Sequence, residues 1–211
     1  MRKYKVNLPL TKEELKKYEI GDILYLTGYV YTARDAAHKR FEQLAAQGKP
    51  LPIDIKGQIL FYAGPCPTKP GRTMGSIAPT TSMRMDRYVK MTFEQGMVAM
   101  IGKGDRADYV ADLCKEYGGA YLLSIGGASA MISNQVKSCE VVAYEDLGTE
   151  SVKKLYVEDL RVIVGIDTQG RVFVPLRSER ENRPVRSGCM PRRKACSPPD
   201  CQIGPYSFHE R

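Results

Sequence analysis

No tryptophan occurs among the 211 residues, and there are only two histidines, His38 and His209. A histidine-based metal centre is thereby excluded from the body of the chain, and a Ser–His or Cys–His nucleophile pair has one body histidine to draw on with no partner placed beside it. No run approaches the roughly 18 apolar residues of a membrane-spanning helix, and Met1-Arg2-Lys3-Tyr4-Lys5 leads into polar sequence instead of an apolar signal core, so a cytoplasmic protein with no membrane association is expected. The six cysteines include no CxxC pair. Cys66, Cys114 and Cys139 are widely spread, and Cys189, Cys196 and Cys201 are irregularly spaced near the end, which points to reduced thiols over a disulfide framework; a zinc or iron–sulfur site in the tail is the lesser alternative.

What is present is an ordinary globular composition, 43% hydrophobic and 27% charged, long enough for one substantial core. The net charge of +8 invites a nucleic-acid reading, but residues 177–211 carry eight Lys/Arg against four Asp/Glu, so half of the excess lies there. The remaining excess is dispersed, without a basic stripe interleaved with aromatics, and no nucleic-acid partner is expected. That last segment also holds five of the thirteen prolines and lacks apolar periodicity. Residues 1–176 are expected to form the folded domain and 177–211 a disordered basic, Pro-rich tail.

Strand and helix signals alternate along the body. Thr11-Lys12-Glu13-Glu14 is a capping box opening a short helix to about Tyr18, and Gly21-Asp22 turns into a strand over 23–31 that delivers Arg34. A helix over 35–47 closes at Gly48, and a buried strand over 58–63 ends at Gly64-Pro65, followed by a Gly- and Pro-rich loop to Pro79. A helix from Thr81 or Ser82 to Glu94, a strand over 97–101 and a helix capped by Asp105 and closed by Gly118 come next. A strand over 120–125 breaks at Gly126-Gly127 before another short helix. Strands over 139–144 and 160–166 follow, and Asp167-Thr168-Gln169-Gly170 turns into a strand over 171–174. This alternation predicts an α/β fold with some parallel pairing.

Three cations sit beside small residues at expected element ends: Arg34, Arg84 in Thr80-Thr81-Ser82-Met83-Arg84, and Lys103 in Gly102-Lys103-Gly104. Arginine forks pair with carboxylates, so the set suits a ligand with two of them. Thr80 and Arg84 would share a helix face if the helix begins by Thr80, with the hydroxyl at the positive end of the dipole. The same spacing equally fits a plain N-cap with a solvated arginine, Lys103 fits an exposed turn, and Arg34 a surface position. Gly126 and Gly127 could present N–H groups to an anion or serve close packing. His38 reads as a packed or solvated helix residue.

Taken in order, Thr27-Gly28, Ala33-Arg34-Asp35-Ala36-Ala37-His38-Lys39-Arg40, Tyr62-Ala63-Gly64-Pro65, Pro79-Thr80-Thr81-Ser82-Met83-Arg84-Met85-Asp86, Gly102-Lys103-Gly104 and Ser124-Ile125-Gly126-Gly127-Ala128 resemble the beta subunit, or C-terminal domain, of class I fumarate hydratases and of L(+)-tartrate dehydratases. The resemblance covers most of residues 1–175. It implies a swivelling β/β/α domain that closes over a partner alpha subunit carrying a 4Fe-4S cluster, in a homodimeric or heterotetrameric assembly. It further implies that Arg34, Arg84 and Lys103 bind the carboxylates of a small dicarboxylate, with Thr80 and Lys103 as the catalytic side chains and Thr80 as the base. No metal ligand is expected in this chain, although the loop holding Cys66 would approach the cluster. Ser76-Ile77-Ala78-Pro79 departs from the Gly-Pro common before the threonines, and the tail has no counterpart. The expected function is hydration of fumarate to malate, with tartrate dehydration as the alternative and a non-catalytic dicarboxylate-binding or assembly subunit as the rival of another class.

Overall fold

The computed structural model describes residues 1–68, 71, 74–124 and 129–173. Gly126, Gly127 and the expected tail lie outside the described residues.

In chain order the elements are β1 (Lys3–Asn7), α1 (Lys12–Leu15), β2 (Ile23–Thr32), α2 (Asp35–Ala46), β3 (Ile59–Phe61), β4 (Ala63–Pro65), β5 (Ile77–Pro79), a 3-10 helix (Ser82–Tyr88), α3 (Val89–Glu94), β6 (Ala99–Gly102), α4 (Asp108–Tyr117), β7 (Ala120–Ser124), α5 (Ser129–Gln135), β8 (Val136–Ala143), a second 3-10 helix (Glu145–Glu150) and β9 (Val152–Ile166). The main sheet runs β1-β2-β3-β6-β7-β9-β8. β1 to β2, β2 to β3, β3 to β6 and β6 to β7 are parallel, whereas β9 is antiparallel to β2, β7 and β8. Because β9 bonds to both β7 and β2, the strands β2, β3, β6, β7 and β9 close into a small barrel. The protein is thus mixed α/β, as the alternation predicts.

Side-chain alternation sorts the strand residues into two cores. Ile59, Phe61, Ile101, Leu122 and Leu155 join Leu24, Leu26 and Val30 in one buried cluster fed by all five barrel strands. Leu60, Tyr62, Met100 and Tyr121 point the other way, against Met85, Val89, Phe93, Val110 and Cys114 from the helices. A third cluster packs Ala33, Ala37 and Phe41 of the α2 region on Val152.

Several elements differ from the sequence expectation. β1 pairs with β2 from a stretch whose lysines mask its alternation. The capping box at Thr11 is present, but α1 ends at Leu15. Within the Gly/Pro-rich stretch, β4 and β5 form an antiparallel ladder. The expected 82–94 helix is 3-10 as far as Tyr88 and α-helical only afterwards, because its first turn is tied to neighbouring strands. The next helix starts at Asp108 with Ala107 as its N-cap, so Asp105 does not cap it. β9 begins at Val152, eight residues before the apolar run at 160–166, and absorbs Glu158 and Asp159 at an irregularity where its register with β2 shifts between Leu26 and Gly28. Gly28 sits there at φ +135°, where a Cβ would lie 2.7 Å from that of Leu8. The strand expected at 171–174 is reduced among the described residues to one bridge, Ile166 to Val172.

No helix among the described residues is long and apolar enough to cross a membrane. Leu26 is fully buried in the barrel cluster, so Leu26→Ala is expected to lower unfolding free energy by about 2–5 kcal/mol in denaturant titrations; a loss under ~1 kcal/mol would mean that the barrel interior is not the tight core described.

Candidate anion-binding site

β2 ends at Thr32, and two residues later Arg34 occupies the N-cap of α2. Its guanidinium Nη2 is 3.1 Å from Glu150 Oε1 and 3.8 Å from Asp35 Oδ2. Glu150 also accepts the Ala36 N–H through Oε2 at 3.0 Å, so this carboxylate serves both the arginine and the first turn of α2. Gly64 of β4 leaves room for the arginine: a Cβ there would stand 3.1 Å from Arg34 Cδ and 2.9 Å from the Thr149 carbonyl oxygen.

Thr80 follows β5 directly and donates its N–H to the Tyr62 carbonyl at 2.8 Å. It precedes the 3-10 helix instead of lying in it, and Thr81, at the N-cap position, makes no side-chain cap. The helix-dipole expectation for Thr80 is therefore not met. A different positive group reaches the hydroxyl, because Arg84 Nη2 donates to Thr80 Oγ1 across the four-residue spacing. The same Nη2 lies 3.3 Å from Asp35 Oδ2. Thr80, Arg84, Asp35, Arg34 and Glu150 thus form one chain of polar contacts drawn from four parts of the fold.

Lys103 joins this group through its main chain. Thr81 bridges to it in parallel register, the Ser82 N–H donates to the Lys103 carbonyl at 3.1 Å, and the Lys103 N–H donates to Ser82 Oγ at 2.9 Å. Tyr121 Oη stands 3.0 Å from Ser82 Oγ and 3.1 Å from the Gly104 carbonyl. Tyr121 has one proton to give, and only it can serve the Gly104 carbonyl, so the Ser82 hydroxyl donates to Tyr121 while accepting from Lys103, which satisfies the set. Burial pushes the Tyr121 phenol up to about 12, so it stays protonated for this purpose. Gly102 completes the clamp, since a Cβ there would fall 1.8 Å from Ser82 Oγ.

The 3-10 segment is held from its other side by a buried ion pair. Arg106 Nε donates to Asp86 Oδ1 at 2.5 Å, the Ala107 N–H donates to Oδ2 at 2.8 Å, and the two side chains are 2% and 5% exposed. The Arg106 guanidinium packs 4.6 Å from the Tyr121 ring centroid. His38 is fully buried on α2, edge-on to Phe41 and Tyr62, and its Nδ1–H donates to the Arg34 carbonyl at 2.8 Å. Burial pulls its pKa down to about 4, so the ring is neutral and braces the backbone that carries Arg34.

Of the residues singled out in the sequence, Arg34, Thr80 and Arg84 are brought together by side-chain contacts and Lys103 by its backbone; Gly126 and Gly127 lie outside the described residues. Asp35, Glu150, Ser82 and Tyr121 gained no role from sequence reasoning. Asp35 and Ser82 stand inside the quoted motifs and were open to inspection, whereas Glu150 and Tyr121 carry no local signal. Among the described residues no three His, Cys, Asp or Glu converge in a way that could hold a metal ion. Cys66 is exposed, Cys114 buried and Cys139 partly buried, each a free thiol. A cavity of about 400 Å³ beside Leu10, Lys56 and Gln58 contains none of the site residues.

Fold and site together define a mixed α/β domain that gathers two arginines, a threonine hydroxyl and a lysine turn into one corner. Residues 1–175 match the model of the family described as Fumarase C-terminus, and the chain belongs to that family. It is 39% identical over 175 residues, 81% of its length, to the "Fumarate hydratase class I, anaerobic" of Escherichia coli, of which it spans 32%. It is 36% identical to the "Putative L(+)-tartrate dehydratase subunit beta" of Methanocaldococcus jannaschii, covering 76% of this chain and 86% of that one. With the "L(+)-tartrate dehydratase subunit beta" of Escherichia coli the identity is 33%, over 79% of this chain and 84% of that one. The chain therefore spans about a third of the fumarate hydratase and most of each tartrate dehydratase subunit.

Two outcomes follow for stability. His38 titrates near 4 when folded against an ordinary 6.5, so the unfolded chain takes up this proton first as pH falls. Its contribution is complete above pH 6.5 and declines from there to pH 4, by about 2 kcal/mol between 6.5 and 5. Denaturant titrations of the native chain and His38→Gln across that window should show a shallower decline in the variant, and equal slopes would remove His38 as the cause. Gly102→Ala should lower stability by about 1–3 kcal/mol by driving Ser82 out of the clamp, and unchanged stability would contradict the close approach.

Proposed function

We propose that this chain is the beta subunit of an iron–sulfur-dependent hydro-lyase of the cytoplasm, residues 1–176 forming a swivelling catalytic domain that closes over a cluster-bearing alpha subunit, and that the reaction is reversible hydration of fumarate to malate. The observation that carries the reading is the contact of Arg84 with Thr80 Oγ1 beside Arg34. Fumarate and malate are dianions, and binding them needs cations with N–H groups free to aim at carboxylates. Arg34 and Arg84 each offer guanidinium edges beyond those used internally, and Lys103 sits on the adjoining turn.

A threonine hydroxyl is ordinarily too weak an acid and its oxygen too weak a base to exchange a carbon-bound proton. Donation from Arg84 favours negative charge on Oγ1, and exclusion of water on closure would strengthen that effect. In the hydration direction a water oxygen bonds to one alkene carbon as Thr80 gives its proton to the other, and the proton that the water loses restores the threonine hydroxyl; dehydration runs these transfers in reverse, the Thr80 alkoxide taking the proton from carbon. The 4Fe-4S cluster, carried by the alpha subunit, supplies when bound a Lewis acid for the substrate hydroxyl. In this reading the part of the present chain is to bind and orient the carboxylates and to hold the exchanging proton.

Dehydration of L(+)-tartrate is the second reading, favoured by the match over most of the length of two tartrate dehydratase beta subunits. Fumarate is placed first on the higher identity to the fumarate hydratase. Both substrates are four-carbon dicarboxylates, so the same two arginines serve either.

The reading is tested by coexpressing the chain with the cluster-bearing protein of its source, purifying the complex without oxygen, and following fumarate absorbance and tartrate consumption. Arg84→Ala should lower turnover by about 10²-fold or more with the thermal transition intact. Full activity in that variant would remove Arg84 from the site, and a complex inactive on both substrates would overturn the hydro-lyase assignment.

A further inference from the structure

Asp35 lies where a ligand carboxylate would be expected. Its Oδ2 is 3.3 Å from Arg84 Nη2 and 3.8 Å from Arg34 Nη2, so one oxygen stands between the two guanidiniums. That atom is shut off from water and makes no hydrogen bond, and Arg34 Nε is likewise buried without a partner. The contact is therefore one of charge without the aligned N–H···O geometry that gives an arginine–carboxylate pair its strength. Arg34 has a second acid, Glu150 at 3.1 Å, whereas among the described residues Arg84 has Asp35 alone as its ionic partner. Arg84 is also half exposed, at 50%, so part of its guanidinium is open to a ligand from solvent.

We propose that Asp35 is an internal stand-in for the substrate carboxylate: it neutralises the arginine pair while the site is empty and is displaced from Arg84 when a dicarboxylate binds, which makes it a determinant of affinity. The proposal rests on the reading of the Arg34–Arg84 corner as a dicarboxylate site. Glu150 offsets the charge of Arg34 but not that of Arg84, so an empty site still needs an acid for the second guanidinium; a substrate carboxylate brings the same charge with better-aligned hydrogen bonds. Release of Asp35 is then subtracted from the binding free energy, and its return to Arg84 assists departure of product. A residue that merely props up Arg84 would have the opposite signature, since its loss would weaken binding.

The sign of the change is what the experiment reads. Asp35→Asn keeps the shape and removes the charge, Asp35→Glu keeps the charge, and Glu158→Gln removes one carboxylate from an exposed pair with Lys137 elsewhere on the surface. Each is purified in the full chain assembled with its cluster-bearing partner and titrated calorimetrically with fumarate and with L(+)-tartrate, and KM and kcat are measured alongside. Asp35→Asn is expected to tighten Kd about fivefold, an energy on the scale of a partly exposed ion pair, with KM falling in step and kcat not rising; Asp35→Glu and Glu158→Gln should stay within about twofold of the native Kd. Unchanged or weaker binding by a folded Asp35→Asn complex overturns the stand-in role whatever turnover shows. Tighter binding without turnover in any form supports Asp35 and sinks the hydro-lyase reading, and absence of binding in every form sinks both.

Discussion

The antiparallel pairing of β2 with β9 is the interaction on which the rest of the molecule depends. It closes the sheet, and its register also builds half of the site. Thr32 at the end of β2 lies opposite Lys153 near the start of β9. Two residues beyond Thr32 the chain reaches Arg34, and two before Val152 it reaches Glu150, so the pairing that closes the barrel leaves the two charges facing at 3.1 Å. Lys153 locks the corner: its N–H donates to Thr32 Oγ1 at 3.1 Å and its ammonium donates to the Gly148 carbonyl at 2.8 Å. Burial pulls that lysine's pKa down, and its hydrogen bonds to the loop offset the desolvation.

The other half of the site hangs on the parallel run β3, β6 and β7. β3 continues into Tyr62, whose carbonyl takes the Thr80 N–H, while β6 runs into the Lys103 turn and β7 presents Tyr121 beneath it. Parallel neighbours end at the same side of a sheet, so the residues after β3 and β6 arrive together without further design. Ser82 and the Asp86–Arg106 pair then fix the intervening segment to that edge. Arg84 is left as the comparatively free element, anchored at its backbone and half exposed at its guanidinium. A half-exposed guanidinium on a rigid mount is what such geometry provides.

Much of this was legible in the residues. The alternation of strand and helix, the capping box at Thr11, the αL glycine after α4 and the four-residue spacing of Thr80 and Arg84 follow from local pattern, because each depends on neighbours in sequence, whereas the place of Arg34 beside them was implied only by the family resemblance. What escaped notice depends on distant partners. β1 and the first half of β9 are lysine-bearing stretches that become strands only because β2 offers them a ladder. The 3-10 form of residues 82–88 comes from bonds to the Lys103 turn and to Arg106, neither of which its own composition encodes. Glu150 is far from Arg34 in sequence, and only the barrel closure brings them together.

The change at Thr80 alters the chemistry as well as the geometry. Had the residue opened a long helix, the positive end of the dipole would have been the agent favouring charge on its hydroxyl, an effect fixed in place and spread over a turn. With only a seven-residue 3-10 segment beyond it, that source is weak, and the Arg84 guanidinium takes over. A guanidinium carries a full charge and can move, so what the hydroxyl experiences depends on what else holds the arginine. Asp35 draws on the same group that polarises Thr80, and in the proposed reading a substrate carboxylate would compete for it. The Asp35 carboxylate and the Thr80 hydroxyl are therefore not separable features of this corner: both contact a single nitrogen, Arg84 Nη2.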